Sequence, residues 1–394
     1  MRLLFATLFA LVLTGTQAPA ANVRFATFNA ALNFPTRDGL HAALRKHDVR
    51  VQRVAAIIQH VRPDVLLINE LDYDAKPGTI ALWIDGILGK SQLGERPIEY
   101  GYHFIDAVNT GVDSGLDLDS NGKTGEPGDA WGFGRFPGQY GMLVLSRFPI
   151  DSSSIRRFQK FLWSEMPDAS IPRDPTTGAP YYPENIWRRL RLSSKSHWLV
   201  PIRTPGRDIT LVVAHPTPPV FDGPDDHNGH RNHDEIRMLA DLVSPEKSMY
   251  LVDDKGQRGG LAENTSFVIA GDMNADPFDG DSYHSAIRQL LNHPRVQSWC
   301  MPTSQGALWA TTHQGGKNLS QKGFSGADTT DFNDRTTGNL RIDYVLPSRD
   351  LSVRNCGVFW PAPGAAGADW VQASDHRLTW LDVNTGEAEP SGAE

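Results

Sequence analysis

Residues 267–277 read FVIAGDMNADP. Phe267–Ala270 is a short, wholly apolar run that stops at Gly271-Asp272, with Asn274 two residues on. A run of this length, closed by glycine, predicts a buried strand. A buried strand holds its terminal side chain rigidly, so Asp272 and Asn274 are presented at the end of a stiff element. The same arrangement recurs outward from this stretch. Val23–Phe28 (VRFATF) alternates and ends at Asn29, and Val65–Ile68 ends at Asn69-Glu70. Met142–Leu145 follows Tyr140 and closes at Ser146-Arg147-Phe148-Pro149. Ile209–Ala214 ends at His215, Arg341–Leu346 carries Asp343, and Leu378–Val383 follows Asp375-His376.

Two stretches have helical spacing instead. Val51, Val54, Ala55, Ile58 and Val61 form one face, and Pro63 stops that helix. Ile236, Leu239, Ala240 and Val243 form another, opening near Asn232. Strands outnumber helices, and the helices fall singly between strand groups. The expectation is an α+β fold with sheets packed in the middle and helices outside. Long irregular stretches are expected at about 74–139, 151–195, 216–230 and 302–338, in keeping with 36 Gly and 27 Pro. Loops this long in a compact domain are usually functional or carry their own ligands. No Pro/Gly/Ser-rich linker divides the chain, so one elaborated domain over 21–384 is expected, with a disordered tail at 385–394.

The start of the chain reads differently. Arg2 precedes an apolar run from Leu3 to Leu13, and Ala18-Pro-Ala20 gives the small-x-small pattern of a cleavage site. Residues 1–20 are therefore expected to be a signal peptide, too short in its apolar part to span a bilayer. Cleavage after Ala20 removes Arg2, turning the net charge of −8 into −9. The expected product is an exported, periplasmic or extracellular protein, a monomer without a membrane anchor. Its acidity weighs against non-specific binding to a phosphate backbone, which needs a basic surface. The two cysteines, Cys300 and Cys356, rule out a cysteine zinc site, and leave one disulfide or two free thiols open.

The strand-end residues have a common chemistry. Glu70, Asp272 and Asp375 are oxygen donors of the kind that hard divalent cations such as Mg²⁺ or Mn²⁺ prefer. Histidines beside such an ion suit phosphate, as imidazolium against developing charge or as imidazole taking a proton from water. Singly, each residue has a bland reading: a loop carboxylate, a strand-end histidine, an Arg341–Asp343 pair. The conjunction in this order favours a site.

The order of motifs resembles the endonuclease/exonuclease/phosphatase superfamily, with its DNase I-like nucleases, repair nucleases, inositol polyphosphate phosphatases and sphingomyelinases. The segments that carry it are TFNAA (27–31), INELD (68–72), YGMLVLSRFPI (140–150), VVAHPTPP (212–219), GDMNADP (271–277), RIDYVLPS (341–348) and SDHRLTW (374–380). The resemblance implies a four-layer α/β sandwich, two sheets face to face with helices outside, and metal-dependent hydrolysis of a phosphate ester. It implies metal ligation by Glu70 and Asp375, with Asn29 and Asp272 assisting. Asn29 and Tyr140 match phosphate-side positions. His215, Asp272, Asn274, Asp343 and His376 match catalytic positions, Asp343 orienting His376. A nuclease or phosphodiesterase is expected first. A phosphomonoesterase or a phospholipid or inositol-phosphate hydrolase comes next, and a non-catalytic binding module last.

Several features lie outside that set. Asp117-Leu-Asp119-Ser-Asn121-Gly122 matches the opening of a calcium loop, with Asp129 one place beyond the expected acid and Gly128 in its place, so a structural Ca²⁺ or an acidic surface turn are both open. Arg188, Arg189, Arg191, Lys195 and His197 form a basic stretch that could place phosphate, but its alternation favours a strand with a solvated face. Arg231 is a candidate phosphate contact among His227, His230 and His233, whose spacing matches no zinc motif. Neither a Walker loop nor a G-x-S-x-G elbow is present.

Overall fold

The computed structural model describes residues 22–73 and 78–386, so the signal-peptide expectation lies outside the described residues. Among the described residues, eleven strands form two sheets. The strands are β1 (Asn22–Leu32), β2 (Val65–Leu71), β3 (Tyr102–Ile105), β4 (Met142–Ser146), β5 (Arg156–Arg157), β6 (Trp198–Arg203), β7 (Asp208–Val213), β8 (Phe267–Asp272), β9 (Asp343–Pro347), β10 (Ser352–Val358) and β11 (Thr379–Asn384). One sheet runs β10-β11-β1-β2-β4-β3 and the other β5-β6-β7-β8-β9. The principal helices are α1 (Gly39–Arg45), α2 (Val49–Val61), α3 (His227–Leu242) and α4 (Gln305–Gln314).

Side-chain alternation makes the layers. From β1, Val23 and Phe25 face the second sheet, meeting Trp198, Val200, Leu211, Val213, Val268 and Val345. The opposite face of β1, Ala26, Phe28 and Ala30, packs on the buried side of α2, Val51, Val54 and Ile58. Likewise Val212 and Ile269 turn outward to Ile236, Leu239 and Val243 of α3. The central strands are thus apolar on both faces and the long helices on one, which is the four-layer α+β sandwich expected. α2 is capped by the Asp48 carboxylate, which accepts from the Arg50 N–H, and ends where Arg62 turns left-handed (φ 54°) ahead of Pro63.

Several expectations need correction. α3 opens at His227, five residues before Asn232. Its first turn is polar throughout, so apolar spacing gave no sign of it. Asn232 is buried inside the helix, its Nδ2 donating to Thr217 O (2.8 Å) and Met273 O (2.9 Å). The stretch at 74–139 is not wholly irregular. Ile80, Trp83, Ile84, Ile87 and Leu88 are buried on a helical segment that runs from Thr79 into a π-helical turn, Leu82–Leu88, and β3 adds an edge strand. Nor is 302–338, where Ser304 caps α4 by accepting from the Ala307 N–H. Thr385, the first residue of the expected tail, is buried, and its carbonyl accepts from Arg207 Nε (3.3 Å); the tail from residue 387 on lies outside the described residues.

The insertion at 151–195 buries Phe158, Phe161, Trp163, Trp187, Leu190 and Leu192 against α3. Its basic stretch is not a solvated strand face, since Lys195 and His197 are both buried. Cys300 and Cys356 form a disulfide that ties the start of the 302–338 insertion to β10.

Candidate active site

The strand ends converge at one rim of the sandwich. β8 and β9 pair antiparallel so that Asp272 faces Asp343. Across the inter-sheet gap, Asn29 at the end of β1 donates from Nδ2 to Asp272 Oδ2 (2.9 Å). The same carboxylate oxygen lies 3.4 Å from His215 Nε2 and 3.6 Å from His376 Nε2. His376 Nδ1 lies 3.0 Å from Asp343 Oδ2, which also accepts from Thr329 Oγ1 at 2.8 Å. All of these groups are buried. Both sheets therefore contribute to one constellation.

Its electrostatics separate the two histidines. Burial and the nearby Lys195 ammonium push His215 below its ordinary value, so it is neutral at pH 7. Burial also pulls on His376, but the Asp343 and Asp272 carboxylates outweigh it and lift the imidazole to about 10. Burial raises Asp343 to about 6, against the pull of His376, so it is ionised at neutral pH. Burial opposes ionisation of Asp272 too, yet His376, His215 and the Asn29 amide hold it below the usual carboxylate range. At pH 7 the site is an alternation: carboxylate, imidazolium, carboxylate, neutral imidazole.

The surrounding loops are braced residue by residue. Glu70 and Tyr140 both take left-handed backbone (φ 57° and 58°), as does Asn274 (φ 50°). Three strained residues at one rim mark a place where the fold imposes geometry. Asp72 holds two of these turns: its carboxylate accepts from the Phe34 N–H (2.8 Å) and the Tyr140 N–H (3.1 Å). Asn33 Nδ2 donates to Glu70 Oε2 (2.7 Å). The Asn274 N–H donates to Asp272 Oδ1 (2.9 Å), and its Nδ2 to Pro216 O (3.1 Å), so this amide ties the turn after β8 to the turn after β7. Glu235 on α3 accepts from Ser194 N–H (2.7 Å) and Thr217 N–H (2.6 Å), locking the Ser194-Lys195 segment beside the His215 turn. Arg377 donates from Nη1 to Ser374 O (2.7 Å) and from Nη2 to Asp331 Oδ2 (2.8 Å), which fixes the turn carrying His376.

Of the residues singled out from sequence, Asn29, His215, Asp272, Asp343 and His376 are brought together by direct contacts. Glu70 stands half-exposed at the end of β2, close enough for its charge to act on His215, Tyr140 and Lys195. Asp375 is exposed beside His376, with its carbonyl accepting from the Asp331 N–H (2.8 Å). Arg231 is not a phosphate contact. It is buried, and its guanidinium is consumed by Leu192 O (2.8 Å), Trp131 O (2.6 Å) and Arg191 O (3.0 Å). Asp117, Asp119 and Asp129 do converge, each with an oxygen within 4.8 Å of the others, and Asn121 Nδ2 donates to Asp119 Oδ2 (3.1 Å). Sequence reading missed Asp72, Thr329 and Glu235. Asp72 lay inside the quoted INELD motif and Glu235 at helical spacing from Arg231, whereas nothing marked Thr329.

Fold and site together define a metal-dependent phosphoric ester hydrolase of DNase I-like architecture. The chain belongs to the endonuclease/exonuclease/phosphatase family, whose profile matches residues 21–376. Among solved structures it is similar to an endonuclease/exonuclease/phosphatase from Beutenbergia cavernae, at 17% identity and a TM-score of 0.50 over 93% of this chain and 72% of that one. It is also similar to a Staphylococcus aureus beta toxin solved with bound magnesium ions (12% identity, TM-score 0.48, 92% and 99% covered). A sphingomyelinase C from Streptomyces griseocarneus matches at 14% identity and a TM-score of 0.45, over 92% and 100% of the two chains. None of the curated proteins matches the chain.

The residues present fit a hard divalent cation. Asp272, Asp343 and His376 each bring a ligand atom within 4.8 Å of the others, Asp343 Oδ1 is buried without a partner, and Glu70 Oε1, outside that cluster, takes part in no hydrogen bond among the described residues.

Proposed function

We propose that this protein is an exported phosphodiesterase, most readily a nuclease, that uses Mg²⁺ or Mn²⁺. The observation that carries the reading is Asp272 Oδ2, held by the Asn29 amide and faced by both histidines. Glu70 and Asp375, with Asn29 and Asp272, would hold the cation. Bound there, it would polarise a phosphoryl oxygen and steady the leaving alkoxide. Asp272 orients water for in-line attack and draws its proton. The His376 imidazolium, fixed by Asp343 through Nδ1, donates from Nε2 to a non-bridging oxygen where charge accumulates. Neutral His215 shares the proton network on Asp272. Lys195 adds a buried positive charge next to Glu70 and Asp272, and Tyr140 stands beside Glu70 on the phosphate side. The leader-like start and the Cys300–Cys356 bond support export.

A hydrolysis panel with each metal tests this: plasmid DNA, RNA, bis(p-nitrophenyl) phosphate, p-nitrophenyl phosphate, inositol phosphates and sphingomyelin. Diesters should be cleaved well ahead of monoesters. Preference for p-nitrophenyl phosphate or inositol phosphates would replace the reading with a monoesterase, and preference for sphingomyelin with a phospholipid hydrolase. We propose further that Asp117, Asp119, Asn121 and Asp129 can hold a structural calcium ion; added Ca²⁺ should then raise the melting temperature, and Asp119→Asn should abolish that rise.

A further inference from the structure

Phe332 belongs to none of the apolar cores among the described residues. It is nevertheless firmly placed. Its neighbour Asp331 is held from three sides: its N–H donates to Asp375 O (2.8 Å), Oδ2 accepts from Arg377 (2.8 Å), and Oδ1 accepts from Gln314 (2.8 Å). Thr330 pairs with His376 as a β-bridge. These contacts set the Phe332 ring 5.5 Å from the His376 imidazole, nearly perpendicular at 82°, and leave it half-buried, with part of the ring open at the rim of the site.

We propose that Phe332 is a specificity-determining residue, an apolar wall beside His376 that packs against a planar ring (a nucleobase or aryl group) carried by the phosphate. The inference rests on the phosphodiesterase reading and names its substrate class. In the phosphodiesterase reading His376 Nε2, 3.6 Å from Asp272 Oδ2, stands on the phosphate side of the site. The adjoining phenyl ring offers an apolar surface, which planar rings use well and a polyhydroxylated inositol uses poorly. No base-specific donor is needed, so the preference is for a ring and not for one base.

The test is calorimetric binding of thymidine 5′-monophosphate and of inorganic phosphate to the Mg²⁺-loaded protein. Phe332→Ala should weaken the nucleotide by about tenfold and leave inorganic phosphate within twofold. Phe332→Tyr should keep nucleotide affinity, while Phe332→Leu, which preserves bulk without a ring, should lose it. Equal weakening of both ligands in the Ala and Leu variants, or no change in either, would overturn the wall. Because binding is read without turnover, the two proposals fail separately. A protein that binds the nucleotide through Phe332 but cleaves no diester loses the phosphodiesterase reading alone. A diesterase whose nucleotide affinity ignores Phe332 loses the wall alone.

Discussion

Arg231 separates scaffold from site, and Arg231→Ala is the sharpest test of that separation. Its guanidinium donates to three main-chain carbonyls, of Trp131, Arg191 and Leu192, and thereby pins two insertions to α3. Hydrogen bonds from an ionised donor contribute roughly 1.5–3 kcal/mol each, and they do not add in full. Truncation also strands carbonyls with little access to water. A loss of about 3–5 kcal/mol is expected. Arg231→Lys keeps the charge but a single ammonium cannot serve three carbonyls, so roughly half that loss should remain. Urea unfolding followed by fluorescence reads the effect as a lower midpoint at unchanged slope. At temperatures where the variant stays folded, KM for a diester should remain within about threefold, on the order of 0.6 kcal/mol. An unchanged midpoint with KM raised tenfold or more would refute the reasoning, because it would put the guanidinium on the phosphate.

The remaining predictions concern charge and covalent closure. His376 lies near 10 in the folded protein, above its unfolded value of about 6.5. The stability it contributes is therefore fully present below about pH 6.5 and lost as pH rises through about 10. Asp343→Asn should bring that loss toward neutrality and reduce kcat/KM by about 10²- to 10³-fold; a pH–rate profile with an unmoved alkaline limb would contradict the pairing. Reducing Cys300–Cys356, which closes a loop across a separation of 56 residues, should lower stability by up to about 4 kcal/mol, measured as the melting temperature with and without dithiothreitol.

Much of this molecule was legible because its strands are short, apolar and punctuated. FVIAGD, VLLINE and TLVVAH each announce a strand and the side chain at its end, and the structure carries Asp272, Glu70 and His215 on one rim. α2 was equally plain, with apolar spacing from Val51 to Val61 and Pro63 after it. What stayed hidden depends on tertiary partners. Arg231 reads as a phosphate ligand from charge alone, and only the three carbonyls of distant insertions show otherwise. Thr329, from an insertion with no periodic pattern, reaches Asp343 because the N–H groups of Thr329 and Thr330 donate to Leu340 O and the Thr329 hydroxyl accepts from the Ile342 and Asp343 N–H groups at the entry to β9. Lys195 and His197 alternate like a surface strand, yet the Glu235 carboxylate and the packing around α3 bury them. The apolar face of Trp83, Ile87 and Leu88 was obscured by its π-helical turn, which departs from the 3.6-residue period, and by the glycines and prolines around it.

The central claim is that the Asp272 constellation performs metal-dependent diester hydrolysis. The most direct measurement is turnover of bis(p-nitrophenyl) phosphate by chelator-stripped protein as Mg²⁺ or Mn²⁺ is titrated back, with Asp272→Asn and His376→Ala run beside it. Activity should be absent without metal, return with it, and fall by at least about 10³-fold in both variants while their melting temperatures show folded protein. Metal-independent turnover, or full activity in both folded variants, would contradict the account.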